Sequence, residues 1–482
     1  MPEVNVRQYV AGEWVAGDGG PLERRNPAAP AEVVARGTVG TADDVDRAVA
    51  SARAGQSEWA ARTSHARGAV LQAAAVLLAG RADEYGSELA REEGKTLREG
   101  IGEVRRAAQI LDYVGHEPDR AAGEVFHSPR AGERILVVRR PVGTIGVITP
   151  FNFPIAIPAW KIAPALLHGN AVVWKASGAV PLLAVRLVET LLAAGLPADV
   201  IQLLHGDGAA GPALVAHPGI DAVTFTGSTG VGRAVASAGA ARGIPVQAEM
   251  GGKNAAVVLA DADLDLAVAQ VIAGAFVSTG QKCTATSRLI VESAIVDEFL
   301  ARLRTATDAL TVGNPLDPEV AIGPLVSAAS RDAVLAGIDT ALQDGATRVT
   351  SRAPRLDLDG GHFVAPTVLD CRAGGSEVWE NELFGPVLAV RTAQDAASAF
   401  AMVNQSEFGL SAAVFTRDIA TALTAVDLLD VGMLHINSET AGADPHVPFG
   451  GVKGSALGPA EQGTAAREFY TRPSTVYLRG AA

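Results

Sequence analysis

From about Arg134 onward the chain alternates short β-branched runs with Ala/Leu-rich stretches of about ten to fifteen residues, and this alternation leaves few architectures open. The runs ILVVRR, TIGVITP, AVVWKAS, VIQLLHG and AVTFTGS are almost continuously apolar, as strands buried on both faces must be, and the stretches between them are long enough to be crossover helices. The pattern predicts an α/β fold with a doubly wound parallel sheet of the Rossmann-like, nucleotide-binding type. A second alternation follows: AAVVLAD, a helix over Leu264 to Phe276, SRLIVES, a helix from Val296 to Leu310, then LAVRTA, AAVFTRD and MLHINS. A second α/β domain is therefore expected. Ahead of both, a short β-like entry gives way to helical spacing at Thr41 to Ala54, Ala66 to Ala82 and Glu84 to Glu93. Glu124 to Arg140 and Arg467 to Leu478 read as extended and too short to form sheets alone; paired, they make a small projecting sheet suited to meeting another subunit. The expected division is 1–123 with 142–250, then 251–452, with 124–141 and 467–482 as projecting strands.

Charge narrows the partners. Lys and Arg number 40 against 53 Asp and Glu, a formal net charge of −13, and the basic residues form no tract, so a nucleic-acid partner is not expected. The longest uncharged run, Pro141 to Trp160, has the length of a membrane span, but Pro141, Pro150, Pro154 and Pro158 with Gly143 and Gly146 would leave a helix broken in lipid. It reads as core and site wall, and no membrane association is expected. The start, MPEVNVRQYVAGEW, has no basic region followed by an apolar stretch, and the two cysteines, Cys283 and Cys371, sit in unlike surroundings, which suits a reducing, cytoplasmic compartment. No metal is expected.

Four segments can carry chemistry. Cys283 lies in FVSTGQKCTA, a glycine-containing bend between a helix and an apolar strand, where a thiol can face a cleft; Lys282 beside it would favour thiolate. A cysteine in such a bend is, taken alone, more often inert core, the reading kept for Cys371. Glu249, in QAEMGGKN, ends a strand before a glycine pair that admits close approach of a ligand or chain segment; it reads as an exposed turn carboxylate or as a base for a water or thiol. Asn152, in TPFNFP, is a turn residue, or a pinned amide suited to an oxyanion. FTGSTGVG follows a strand with a Gly/Ser/Thr helix start that suits a phosphate at the positive helix end, though it is not G-x-G-x-x-G.

Together TPFNFP, VVWKAS, FTGSTGVG, EMGGKN, GQKCTA, NELFGPV, FGLSAAVFT and PFGGVKGS resemble the aldehyde dehydrogenase superfamily, in its order and spacing, from about Gly12 to Tyr477. ITPFNFPIAIPAWKIAPAL, EEGKTLREGIGEVRRA and AGADPHVPFGG more narrowly resemble the bacterial 2-oxoglutarate semialdehyde (2,5-dioxopentanoate) dehydrogenases. The resemblance implies Cys283 as nucleophile, Glu249 as general base, and the Asn152 side chain with the Cys283 backbone N–H as the oxyanion site. It implies NAD or NADP as cofactor, with Lys175 and Ser228 at the ribose and phosphates, Glu382 at the nicotinamide ribose and Phe384 beside the nicotinamide. Thr149, Pro150, Ser177, Gly208, Phe225, Thr226, Gly227 and Gly251 complete the implied cofactor surface. It further implies a small aldehyde substrate and a homodimer or homotetramer joined through the projecting strands.

Two departures from the family pattern matter. Where NAD-preferring members usually show Lys-Pro-Ser-Glu this chain has Lys175-Ala-Ser-Gly178, losing the carboxylate that would repel a 2′-phosphate, so the reading leans to NADP. The family's Gly-(Pro)-Arg-Glu-Gln-Gly reads Gly458-Pro-Ala-Glu-Gln-Gly463, which puts an ion pair of that arginine in doubt. No Arg or Gln follows Asn152 at Phe153 to Ala156, so a substrate carboxylate is expected to meet Arg98, Arg105 or Arg106, or His446, with Phe153 on the substrate wall. The expected reaction is NAD(P)-dependent oxidation of an aldehyde to an acid through a cysteine thiohemiacetal and thioester, with 2-oxoglutarate semialdehyde the named substrate and another semialdehyde or an uncharged aldehyde the alternative. A papain-like thiol hydrolase would need no dinucleotide site and would carry a different sequence around its cysteine. A non-catalytic protein that merely retains the fold would have no reason to keep Cys283, Glu249 and Asn152 together.

Overall fold

The computed structural model describes residues 3–120, 123–206 and 208–480; residues 1, 2, 121, 122, 207, 481 and 482, which the expected segments include, lie outside the described residues. The five apolar strands Val246–Glu249, Ala222–Thr226, Thr144–Ile148, Ala171–Lys175 and Ile201–Leu204 lie side by side and parallel in an eight-stranded sheet. They lack polar alternation because both faces are covered. Val172, Trp174 and Leu203 pack with Leu166, Leu183 and Leu187 of helices Ala156–Leu167 and Pro181–Ala193. On the other face Val173, Leu204 and Val223 pack with Val45, Val49 and Leu214 of Ala42–Ala61 and Ala210–Ala216. In chain order the five strands stand fifth, fourth, first, second, third. Crossovers therefore diverge between Thr144–Ile148 and Ala222–Thr226, opening a crevice at their carboxyl ends.

A second sheet of seven strands follows the same logic. Thr367–Asp370, Val387–Ala393, Thr286–Glu292, Asn254–Val258, Ser411–Phe415 and Met433–Ile436 are parallel neighbours, with Thr347–Arg348 antiparallel at one edge. The expected helix at Leu264–Phe276 is present, N-capped by the Asp263 carboxylate, and the one from Val296 ends at Asp308. Four residues, Met250 to Lys253, carry the chain from the last parallel strand of the first sheet to the first strand of the second.

The projecting segments pair as Gly123–His127, Glu133–Pro141 and Thr471–Arg479, antiparallel throughout. Their reading needs one correction. Arg467 to Tyr470 is not extended but ends the helix Gly463–Tyr470, which buries Ala466, Phe469 and Tyr470; the strand begins at Thr471. The aromatic pair that suggested β structure serves a helix face instead. The β-like entry is also longer than expected: Pro21–Asn26 and Ala29–Thr38 form a hairpin before the first helix, which opens on a capping box between Thr41 and Asp44. Among the described residues no helix is long and apolar enough to cross a membrane.

Trp59 ties the first helix to the sheet layer: it is 1% exposed, and its indole N–H donates to the Leu166 carbonyl at 2.8 Å. Trp59→Ala should destabilise the protein by about 3–5 kcal/mol through the cavity and the lost bond, read as a lower unfolding midpoint. Cofactor affinity should stay unchanged at temperatures where the variant is folded.

Candidate active site

The bend that presents Cys283 is held by its surroundings. After Phe276 the chain turns through Ser278 and Thr279, both left-handed at φ of 57° and 55°, a conformation such side chains seldom adopt. The Ser278 N–H donates to Glu99 at 2.7 Å, the Thr279 hydroxyl to the Gly323 carbonyl at 3.2 Å, and the Gln281 side chain accepts from the Val326 N–H at 3.0 Å. Glu99 is itself fixed in a capping box with Thr96 at the start of helix Leu97–Gly115. The Asn254 amide donates to the carbonyls of Cys283 and Ala285 at 2.8 and 2.9 Å, and its oxygen accepts from the Ser411 N–H at 3.0 Å, pinning the bend to the second sheet.

Cys283 lines two cavities. One, of about 380 Å³, opens at the sheet's switch point and is walled by Thr149, Pro150, Asn152, Lys175, Ser177, Phe225, Thr226, Gly227, Ser228, Gly251, Glu382 and Phe384 among others. Of the residues expected around a cofactor, only Gly208 falls outside this wall; it is exposed on the turn after Ile201–Leu204. The wall suits a dinucleotide. Buried Thr226 Oγ1 has no partner among the described residues, and helix Thr229–Arg242 begins at Ser228 without a side-chain cap, leaving its first N–H groups for a phosphate. A Cβ on Gly251 would sit 2.1 Å from Glu382 Oε2, so glycine there is what lets this carboxylate reach the cavity. Phe384, at φ 52°, meets Phe151 edge to face at 5.9 Å. Burial pushes the Glu382 carboxyl up to about 7.

The other cavity, of about 330 Å³, reaches Cys283 from the side of helix Leu97–Gly115. Lys95, Glu99, Glu103, Arg106, Phe153, Trp160, Lys282, Glu439 and Phe449 line it. One expectation narrows here and another needs correction. Of the proposed cations only Arg106 is on the wall, paired with Asp444 at 3.1 Å. Arg98 is exposed, Arg105 points to Asp83 at 3.6 Å, and His446 is an exposed ring 6.4 Å from that of Tyr113. The helix explains the split: Glu99, Gly102, Glu103 and Arg106 share one face, and a neighbour one position away is rotated by about 100°. Lys282 also does not lower the thiol's pKa. Its ammonium turns to the Ala273 carbonyl at 3.1 Å and to Glu439 at 3.6 Å, while burial, followed by the charges of Glu382 and Glu249, pushes the Cys283 thiol up to about 12.

Glu249 is buried, not an exposed turn residue, and lies outside both cavity walls. Its Oε2 has no partner among the described residues. Burial and the nearby Glu461 charge raise its carboxyl well above the ordinary range, against the pull of Lys161. Lys161 is fully buried in helix Ala156–Leu167, ion-paired to Glu461 and donating to the Thr224 hydroxyl at 2.9 Å. Glu461 thus has a cationic partner without the arginine missing at Ala460. Sequence reading missed Lys95, Glu103, Lys161 and Glu461; the available signal was charge inside otherwise apolar or tightly packed segments. Cys371 is buried and inert in setting, as expected.

A thiol set between a switch-point cleft suited to a dinucleotide and a separate second cavity is the layout of a dinucleotide-dependent enzyme that works through cysteine. The aldehyde dehydrogenase family profile matches residues 14–476. An alpha-ketoglutaric semialdehyde dehydrogenase of Bacillus subtilis is 39% identical over 475 residues, covering 98% of this chain and 97% of the relative. Betaine aldehyde dehydrogenase 1 of Rhizobium meliloti is 37% identical, covering 98% and 96%. The crystal structure of PnpE in complex with nicotinamide adenine dinucleotide superposes with a TM-score of 0.95 at 33% identity, covering 99% of this chain and 98% of that one. The chain belongs to the aldehyde dehydrogenase family: it is an oxidoreductase that oxidises small aldehydes with NAD or NADP.

The thiol's high pKa sets a test on the enzyme without cofactor. Only the thiolate reacts with iodoacetamide, so inactivation should speed up about tenfold per pH unit from about pH 7 to 9 with no plateau. A plateau by about pH 8 would contradict a thiol held neutral by burial.

Proposed function

We propose that this enzyme oxidises an aldehyde bearing a distal carboxylate, 2-oxoglutarate semialdehyde, to the diacid. The observation that carries the reading is the position of Lys95: its ammonium lies 3.8 Å from the centre of the Phe153 ring on the wall of the second cavity. That ring face already holds a cation, so it is not free to hold the quaternary ammonium of a substrate such as betaine aldehyde. Arg106 at the wall, held by a single exposed carboxylate, is the group placed to exchange Asp444 for a substrate carboxylate. Another semialdehyde with a terminal acid fits the same chemistry.

In the proposed mechanism Cys283 loses its proton to water and attacks the carbonyl carbon as thiolate, and the resulting oxyanion is held by the Asn152 side chain and the Cys283 N–H. The dinucleotide would be held by Lys175, Ser177, Ser228 and Glu382, and once bound it supplies the hydride acceptor. Glu249, swinging from the Lys161–Glu461 side, then takes a proton from the water that hydrolyses the thioester; its raised pKa makes it a stronger base than an exposed carboxylate. Residues 1–123 and 142–250 would bind the cofactor, and 251–452 would carry the nucleophile. Subunit contact in a homodimer or homotetramer is assigned to 124–141 and 467–482, where Val125, Phe126, Tyr477 and Leu478 are exposed. NADP is favoured over NAD on the absence of a carboxylate at Gly178, and a cytoplasmic setting on the two unpaired cysteines.

Steady-state kinetics test the substrate. kcat/KM should be highest for 2-oxoglutarate semialdehyde, and Arg106→Ala should raise KM for it about tenfold while moving that of an uncharged aldehyde of similar length by less than about twofold. Equal shifts, or a preference for betaine aldehyde, would overturn the acidic-aldehyde assignment. For the cofactor, Gly178→Glu should move the ratio of catalytic efficiencies toward NAD by placing a negative charge beside a 2′-phosphate. An unchanged ratio would remove position 178 from cofactor choice.

A further inference from the structure

Little within the bend carrying Asn152 secures it beyond the Ile157 N–H, which donates to the Phe153 carbonyl at 3.2 Å. Pro150 and Pro154 offer no N–H, and the helix it leads into, Ala156–Leu167, has no side-chain cap from its own N-cap residue Ile155. Two buried residues from outside supply what is missing. Lys95, just before helix Leu97–Gly115, donates to the Asn152 carbonyl at 2.5 Å, and Glu103, within that helix, accepts from the N–H groups of Ile155 and Ala156 at 3.0 and 3.2 Å. The two are ion-paired at 2.7 Å, with side chains 1% and 2% exposed. The same ammonium caps the Phe153 ring, so the bend is held at its start, middle and end by one ion pair.

We propose that Lys95 and Glu103 are positioning residues that clamp the bend at residues 152–156, so that the pair governs the rate of the covalent step through the placement of Asn152. The proposal rests on the reading of Asn152 as the oxyanion donor. A buried ion pair costs desolvation and seldom contributes much stability for its own sake. Here both partners spend their remaining valences on a single loop, which makes the pair a device for geometry. Burial works against the Lys95 charge, but Glu103 and Glu93 outweigh it and hold its pKa above the ordinary value, so the ammonium persists across the neutral range. An oxyanion donor works only where it already points at the developing charge, and misplacement by about 1 Å can cost about a hundredfold in rate.

The test is the first-turnover burst of reduced cofactor with an uncharged aliphatic aldehyde, for wild type, Lys95→Met, Glu103→Gln, Asn152→Ala and the Lys95→Met/Asn152→Ala double variant. Cofactor affinity and unfolding midpoints verify that each is folded. Asn152→Ala should slow the burst by about a hundredfold or more. Lys95→Met should slow it by at least about tenfold with KM moved less than about threefold, and in the Asn152→Ala background should slow it by less than about twofold more, because the group it positions is gone. Glu103→Gln keeps an acceptor for Ile155 and Ala156 but loses the ion pair, and should show a smaller loss; it decides the matter should Lys95→Met not fold. A wild-type burst in Lys95→Met, or in Glu103→Gln if only that folds, while Asn152→Ala is slow overturns the clamp and leaves Asn152 in place. The same Lys95→Met loss with and without Asn152 also overturns it. A wild-type burst in Asn152→Ala overturns the reading of Asn152 itself. A change confined to KM for a carboxylated aldehyde would assign Lys95 to substrate binding and overturn the clamp.

Discussion

Met250 to Lys253 are the four residues on which this molecule turns, because they separate the last parallel strand of one buried sheet from the first strand of the next. The passage is possible only without side chains at its centre. A Cβ on Gly251 would collide with Glu382, and one on Gly252 would lie 2.9 Å from Asn254 Oδ1 and 3.2 Å from the Cys283 carbonyl. At the near end of this passage stands Glu249, at its centre Glu382 leans on the glycines, and at its far end Asn254 ties down the Cys283 bend. Glu249, Glu382 and the thiol therefore converge because the two sheets are joined so tightly. A longer linker would leave each free to drift.

Electrostatically, burial disfavours charge on the Cys283 thiol and on the ionisable groups around it. The Cys283 thiol, the Glu249 carboxyl and the Glu382 carboxyl are all pushed up, chiefly by burial, and Lys253 is drawn down to about 7 by the same cause. Such a pocket resists wasteful thiolate chemistry and leaves activation to whatever charge enters it. Two ion pairs flank these groups: Lys95 with Glu103 is hydrogen-bonded to the loop that carries Asn152, and Lys161 with Glu461 holds the Thr224 hydroxyl. They shape the site without contributing free charge to it.

How much of this the sequence disclosed follows physical lines. The strands and helices were legible because strands buried on both faces cannot hide their apolar runs; of the wall expected around a cofactor only FTGSTGVG could be read from its own glycines and hydroxyls, and the other residues came from the family resemblance. Cys283 and Asn152 could be placed because each sits in a bend whose composition demands explanation. The cations could not. Arg98 and Arg105 look equivalent to Arg106 in a list of letters, yet on helix Leu97–Gly115 only Arg106 shares the cavity face with Glu99 and Glu103. Lys282 is adjacent to Cys283 in sequence and turned away from it in space. Lys95 and Glu103 belong to a charged stretch, which ordinarily marks a solvated surface, and only packing reveals that it is buried. At the other end, Phe469 and Tyr470 looked like strand residues because the helix theirs packs on, Ala156–Leu167, is about 300 positions away.

The central claim is that Cys283 forms the covalent bond and that Glu249 acts only afterward, on the water. Intact-mass analysis of the Glu249→Gln enzyme, quenched in acid after mixing with 2-oxoglutarate semialdehyde and cofactor, tests it most directly. The account predicts one equivalent of reduced cofactor per active site, together with an acyl adduct that peptide mapping places on Cys283. An unmodified protein after that burst, or an adduct on another residue, would contradict it.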